Sequence, residues 1–219
     1  VGGLLLQAAE ELGLTPGTPV FSGGTDVSLC QIGGGCTEIG DVNVYSGTSG
    51  WVETTVGKLH TDISNLIGTL PGADPTAYNY VAEVDTSGKC MEWVKDRLDL
   101  PEMSYSELDA YIEQVPAGNS GVIFSPWMHG NRCPFEDANA RGMFFNLDLG
   151  TRGRDLVKAV IEGVCMHMRW NLEASEKTFP TKTTVRFTGG SAMSPVICQI
   201  LADVLNRPVE TIENPRLVG

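Results

Sequence analysis

The sequence predicts an α/β chain, and three stretches carry that prediction. The first 36 residues read as helix, strand, turn and helix. "DVNVYSGTSGWVETTVG" alternates, breaks into glycine and alternates again, as a β-hairpin does. "TTVRFTGGSAMSPVICQILADVLNRPV" (183–209) runs from a strand through a glycine turn into a helix.

Each element has a local reason. "LLLQAAEELG" has the period of a short helix, with Leu5, Ala8, Ala9 and Leu12 on one side and Gly13 as its stop. "TPGTP" is a turn. "VFSGG" reads as a short apolar strand, and "DVSLCQIGGG" resumes helical period. "SYSELDAYIEQV" predicts a helix with a Ser104/Glu107 capping box and an inward stripe of Leu108, Ile112 and Val115. "GVIFSPW" and "MFFNLDL" are strand-like. The longest helix is expected in "RDLVKAVIEGVCMHMRWNLEASEK", with Leu156, Val160, Ile161, Val164, Met168 and Leu172 inward. At the last helix Ser194 is the expected N-cap, Pro195 the first helical residue, and Asn206 and Pro208 the stop. The final "ENPRLVG" shows no terminal element.

Composition narrows the function. The 219 residues, 42% hydrophobic, suffice for one large domain or one domain plus part of another. The net charge of −12 argues against a nucleic-acid partner or an anionic membrane surface. No apolar run approaches the roughly 18–20 residues of a bilayer span. The opening residues lack a basic flank and cleavage site and do not read as a signal peptide. They read as the continuation of something, since Val1 is not a methionine. Cys30, Cys36, Cys90, Cys133, Cys165 and Cys198 form no C-x-x-C pair, and reduced buried thiols in a cytoplasmic protein are expected.

Three glycine turns hold the candidate chemistry. "FSGGTDVSLCQIGGG" (Phe21–Gly35) sets one carboxylate, Asp26, among glycines. A carboxylate with bare surroundings can take a proton from an attacking hydroxyl. It can equally be an N-cap, and the two roles are compatible. "YSGTSGW" (Tyr45–Trp51) offers backbone N–H groups and the small hydroxyls of Ser46, Thr48 and Ser49 to phosphate oxygens. "TGGSAMS" at a helix start offers a flat surface for a ribose or base. Neither a Walker pattern nor a G-x-S-x-G elbow is present. Taken alone, each glycine turn is most simply a turn.

Taken in order, these motifs resemble the FGGY family of carbohydrate kinases, within the actin-like ATPase superfamily. "LGLTPGTPVFSGGTDVSLCQIGGG", "GDVNVYSGTSGWV", "NARGMFFNLDLGTRGRDLVKAVIEGVCMHMRWNLE" and "FTGGSAMSPVICQILADVLNRPVE" carry the resemblance over nearly the whole chain. A poorly matching insert is expected around residues 58–117. "GTSGWV" and "HGNRCPFEDANARG" lean toward the pentulose kinases.

The resemblance implies an actin-like ATPase (ribonuclease H-like) domain, a mixed sheet flanked by helices. It implies ATP-dependent phosphorylation of a sugar hydroxyl, a pentulose such as xylulose or else another sugar or polyol, with ATP and Mg²⁺. Asp26 would be the general base. Gly47, Thr48 and Ser49 would face the β- and γ-phosphates, and Gly189, Gly190, Ser191 and Ser194 would hold the adenosine part. Gly24, Thr25, Asp26 and Val27 would border the sugar. Pentulose kinases often carry Asn after the catalytic Asp; this chain has Val27, which leaves the sugar open. No metal ligand is expected from this chain. Residues 1–37 would be the tail of an amino-terminal sugar-binding domain and 38–219 a carboxy-terminal nucleotide-binding domain, incomplete at its end. The expected partners are the sugar and the missing amino-terminal domain, and a homodimer is compatible with the reading. The fragment alone is expected to be inactive. The rival reading is a non-catalytic nucleotide-binding module of the same fold.

The remaining candidates have plainer readings. His167 reads as helix packing, His60 as a surface loop residue, and His129 as a loop residue that could approach a nucleotide. Glu136 and Asp137 read as a solvated loop.

Overall fold

The computed structural model describes residues 2–100 and 103–218. In chain order the elements are β1 (Gly2–Gly3), α1 (Leu6–Leu12), β2 (Pro19–Val20), α2 (Asp26–Gly33), β3 (Val42–Ser46), β4 (Gly50–Val56), β5 (Thr61–Asp62), β6 (Ile67–Pro71), β7 (Tyr78–Val84), α3 (Gly88–Arg97), α4 (Tyr105–Glu113), β8 (Ile123–Ser125), β9 (Met143–Phe145), α5 (Gly153–Glu176), β10 (Val185–Thr188), α6 (Pro195–Leu205) and β11 (Val209–Glu210). Short 3₁₀ turns cover Asn119–Gly121, Gly190–Met193 and Pro215–Leu217.

Seven strands make one mixed sheet, in the order β11-β10-β3-β4-β7-β6-β5. β10 runs parallel to β3 and β11, while β3, β4, β7 and β6 pair antiparallel. The strand period explains the two faces. Val42 and Val44 of β3, Val52 of β4 and Phe187 of β10 join one core with Val160, Ile161, Val164 and Met168 of α5 and Ile197 and Leu201 of α6. The alternate residues Asn43, Glu53 and Thr55 are also buried, and the α2 side chain Gln31 bonds to Thr55.

The expected α4 helix is present with its capping box, and Leu108, Ile112 and Val115 are buried. α6 starts at Pro195 behind a Ser194 cap and ends at a left-handed Asn206. Gly13 caps α1 in the left-handed region.

Four expectations need correction. The expected strand "VFSGG" contracts to Pro19–Val20, paired only with β1, and Phe21 to Thr25 is irregular and exposed. On α1 only Ala9 is buried; Leu5 and Leu12 face outward. The stretch 58–117 is not an insert as a whole, because β7 pairs along the full length of β4 inside the main sheet. The chain end is structured: Val209–Glu210 extends the sheet, and the Pro215 carbonyl receives the Gly189 N–H at 2.7 Å. A two-residue strand has no period to detect, and the terminal turn is fixed by contacts from elsewhere. Among the described residues, no helix is long and apolar enough to cross a membrane.

Candidate functional site

β10 and β3 are parallel, so the turns that follow them lie at the same end of the sheet. The loop after β7 joins them, because β7 is antiparallel to β4. Three serines tie these turns together. The Ser46 hydroxyl shares a hydrogen bond with Ser87 at 2.7 Å and donates to Ser191 at 2.7 Å.

The turn Gly47–Ser49 closes the β3–β4 hairpin, with the Gly47 N–H on the Ser49 carbonyl at 2.9 Å. Its Thr48 and Ser49 side chains are exposed at the tip. A Cβ at position 47 would stand 2.7 Å from the Tyr45 hydroxyl, so a larger residue there would push that ring aside. Below the turn, the start of α3 is pinned to it. The Gly88 N–H donates to the Gly47 carbonyl at 2.7 Å, and the Lys89 N–H to the Thr48 carbonyl at 3.1 Å. One faint sign of this junction is visible in the sequence, the glycine in "TSGK" at the opening of a helix.

Gly189 adopts φ +92°, and a Cβ there would collide with the Ser46 backbone. This contact sets the β10 turn flat against the β3 turn. Gly190 and Ser191 are half-buried at its surface. Ser194 differs from the role the resemblance implies. It is fully buried, its hydroxyl accepts the Ile197 N–H at 3.0 Å, and it donates to Asp109 at 2.5 Å. The hydroxyl is committed to holding α6 on α4 and does not face solvent.

Asp26 lies across the sheet on α2. Thr25, not Asp26, is the N-cap, and its hydroxyl accepts the Ser28 N–H at 3.2 Å. Asp26 is the first helical residue and is exposed; its carboxylate accepts the Val27 N–H at 2.9 Å. A carboxylate in the first turn suits the helix dipole. Gly24 and Thr25 are exposed beside it, while Val27 turns inward to pack with Cys30, Trp51 and Tyr45. The Ser28 hydroxyl donates to the Pro71 carbonyl at 2.8 Å and anchors the helix start to β6.

Tyr45 connects the two parts. Its ring stacks on Trp51, centroids 4.0 Å apart, and its hydroxyl leans over Gly47. Burial pushes its phenol pKa up, with smaller contributions from Cys30 and the Asp26 carboxylate. Under α2, Glu53 is sealed from water between the Asn43 amide at 2.7 Å and the Asn79 amide at 3.2 Å. Burial pushes its carboxyl up to about 8, against the pull of those amides.

A cavity of about 640 Å³ opens beside the Gly47 turn. Thr48 and Ser49 form one wall, Lys89, Glu92 and Trp93 of α3 another, and His129 closes it. His167, by contrast, is buried in α5 with Nε2 on the Cys133 carbonyl at 2.7 Å. His60 is half-buried against Phe179 and Tyr80 rather than free in a loop. Glu136 and Asp137 are exposed. Five cysteines are buried, Cys198 is half-buried, and all six are unpaired.

Comparison with known proteins agrees with this architecture. Residues 42–218 match the FGGY family of carbohydrate kinases, C-terminal domain. The xylulose kinase of Bacillus subtilis (strain 168) is 26% identical over 214 residues, covering 98% of this chain and 43% of the relative. The gluconokinase of the same organism is 27% identical, covering 95% and 42%. The crystal structure of a ligand-bound xylulose kinase from Lactobacillus acidophilus superposes with a TM-score of 0.85 at 26% identity, covering 96% of this chain and 43% of that one. The chain therefore spans less than half the length of these relatives. Its sheet order, its turns at one sheet end and its match over residues 42–218 place the chain in the FGGY family of carbohydrate kinases, with the actin-like ATPase fold.

Proposed function

We propose that the protein transfers the γ-phosphate of ATP to a hydroxyl of a sugar, with a pentulose such as xylulose as the acceptor. The observation that supports this reading is the match of residues 42–218 to the C-terminal domain of the FGGY carbohydrate kinases, in a chain that also exposes Asp26 at the opening of α2 and a glycine turn tipped with Thr48 and Ser49.

In this reading the Asp26 carboxylate takes the proton of the sugar hydroxyl as its oxygen attacks the γ-phosphorus. The bond from that phosphorus to the β,γ-bridging oxygen breaks, and ADP leaves. Gly47, Thr48 and Ser49 face the outer phosphates, and Gly189, Gly190 and Ser191 carry the adenosine part. Ser194 supports that surface from below through Asp109. Gly24, Thr25 and Val27 border the sugar. Among the described residues, no group of three or more His, Cys, Asp or Glu is placed to hold a metal. Mg²⁺ would enter with the phosphates of ATP and offset their charge.

Residues 1–37 are the tail of a sugar-binding domain and 38–219 the nucleotide-binding domain in this proposal. The outward Leu5, Leu6, Leu12 and Phe21 support it, since such side chains seek a covering partner. Six unpaired cysteines suit the cytoplasm. A second reading, gluconate as acceptor, has support in the gluconokinase relatives. Val27 favours neither sugar, because it offers no hydrogen bond.

The test is Asp26→Asn in the full-length protein. The expected result is a kcat lower by about 10²–10⁴-fold with ATP affinity kept. A kcat near wild type would remove Asp26 from the proton transfer.

A further inference from the structure

We propose that Lys89 is a phosphate-contacting residue that supplies positive charge to the outermost phosphate of the bound nucleotide. The inference rests on the reading of the Gly47 turn as a phosphate site and adds a cation to it.

Three observations carry it. Lys89 sits in the first turn of α3, and its backbone N–H is bonded to the Thr48 carbonyl at 3.1 Å, so its Cα is held against the turn. Its side chain is exposed and lines the same cavity of about 640 Å³ as the Thr48 and Ser49 side chains. Among the described residues its ammonium has no ion-pair partner and no hydrogen-bond partner, unlike the other cations nearby. Arg97 pairs with Asp96, and Arg132 with Glu83 and Asp85. Lys95 donates to the Met103 carbonyl. Glu92 lines the cavity one turn further along α3 and is not paired with Lys89.

The physical need is clear. A chain of net charge −12 repels a polyphosphate at long range. The first amides of α3 cannot compensate, because the carbonyls of Gly47 and Thr48 already occupy them. A flexible ammonium at the lip of the turn supplies what the amides do not: a mobile point charge able to follow a phosphoryl group.

The test uses Lys89→Met and Lys89→Arg in the full-length protein, with direct binding of MgATP, MgADP and AMP by calorimetry and sugar-dependent ADP release alongside. Lys89→Met should weaken MgATP binding about tenfold or more and leave AMP binding within about twofold. Lys89→Arg should stay within about threefold of wild type for both. The unchanged AMP affinity doubles as the check that the variant is folded. MgATP binding unaltered in Lys89→Met overturns the proposal, whatever the turnover. So does an equal loss for MgATP and AMP. Wild-type protein that binds MgATP but phosphorylates no sugar overturns the kinase reading and leaves the binding result for Lys89 to stand on its own.

Discussion

At the scale of single residues, the sealed carboxyl of Glu53 ties stability to pH. Its folded value is raised by burial from the ordinary 4.5 to about 8. The folded protein therefore keeps a proton that the unfolded chain has already released. Stability from this group is full below pH 4.5 and is lost as pH rises toward 8. The slope in that window is at most about 1.4 kcal/mol per pH unit. Glu53→Gln removes the titration and keeps a carbonyl acceptor for the Asn43 amide, while its NH2 group can donate to Asn79 once that amide turns its unpaired oxygen inward. Urea unfolding at pH 5 and pH 8 should show a smaller fall in stability for the variant than for wild type. An equal fall would place the charged form, not the neutral acid, in the folded state. Gly189 gives a second expectation. Its φ of +92° and the Ser46 backbone beneath it leave no room for a Cβ. Gly189→Ala should cost about 1–3 kcal/mol and weaken nucleotide binding, read by thermal unfolding with and without MgATP.

At the scale of elements, the legible parts were those with a period or a cap. α5 and α6 declared their buried stripes, α4 its capping box, and the β3–β4 pair its alternation. α3 stayed hidden because only Cys90 and Val94 are buried along it, too few to mark a stripe. The same limit applies to the site. Asp26, Gly47 and Gly189 stood out as candidates because glycines and hydroxyls cluster around them. Tyr45, Glu53 and Lys89 could not, since their partners come from sheet order and from the packing of α2 and α3. The assignment of Ser194 to the ligand failed for a related reason: a cap signal does not say which side of the helix start is solvated. Packing also makes an element-scale prediction. Gly163 lets α5 rest against the Phe124 carbonyl of β8, where a Cβ would overlap it. Gly163→Ala should lower stability by about 1–3 kcal/mol despite its better helix propensity. A stabilised variant in urea unfolding would show that α5 stands further from β8.

At the scale of the whole molecule, one sheet end gathers the turns while α2 holds Asp26 on the opposite face. Leu5, Leu6, Leu12 and Phe21, in the segment that precedes that helix, lie bare. The chain spans 43% of the xylulose kinase it resembles, so in the proposed reading a large part of the cleft comes from outside these residues. The isolated 219-residue chain should accordingly show negligible sugar-dependent ATP turnover and a tendency to associate, seen by light scattering. The most direct test is sugar-dependent ADP release by the full-length protein with MgATP over a panel that includes xylulose and gluconate. One polyhydroxy acceptor should raise ADP release well above the sugar-free rate. A flat response across pentuloses, hexoses, sugar acids and polyols, with MgATP bound, would contradict the assignment of sugar phosphorylation.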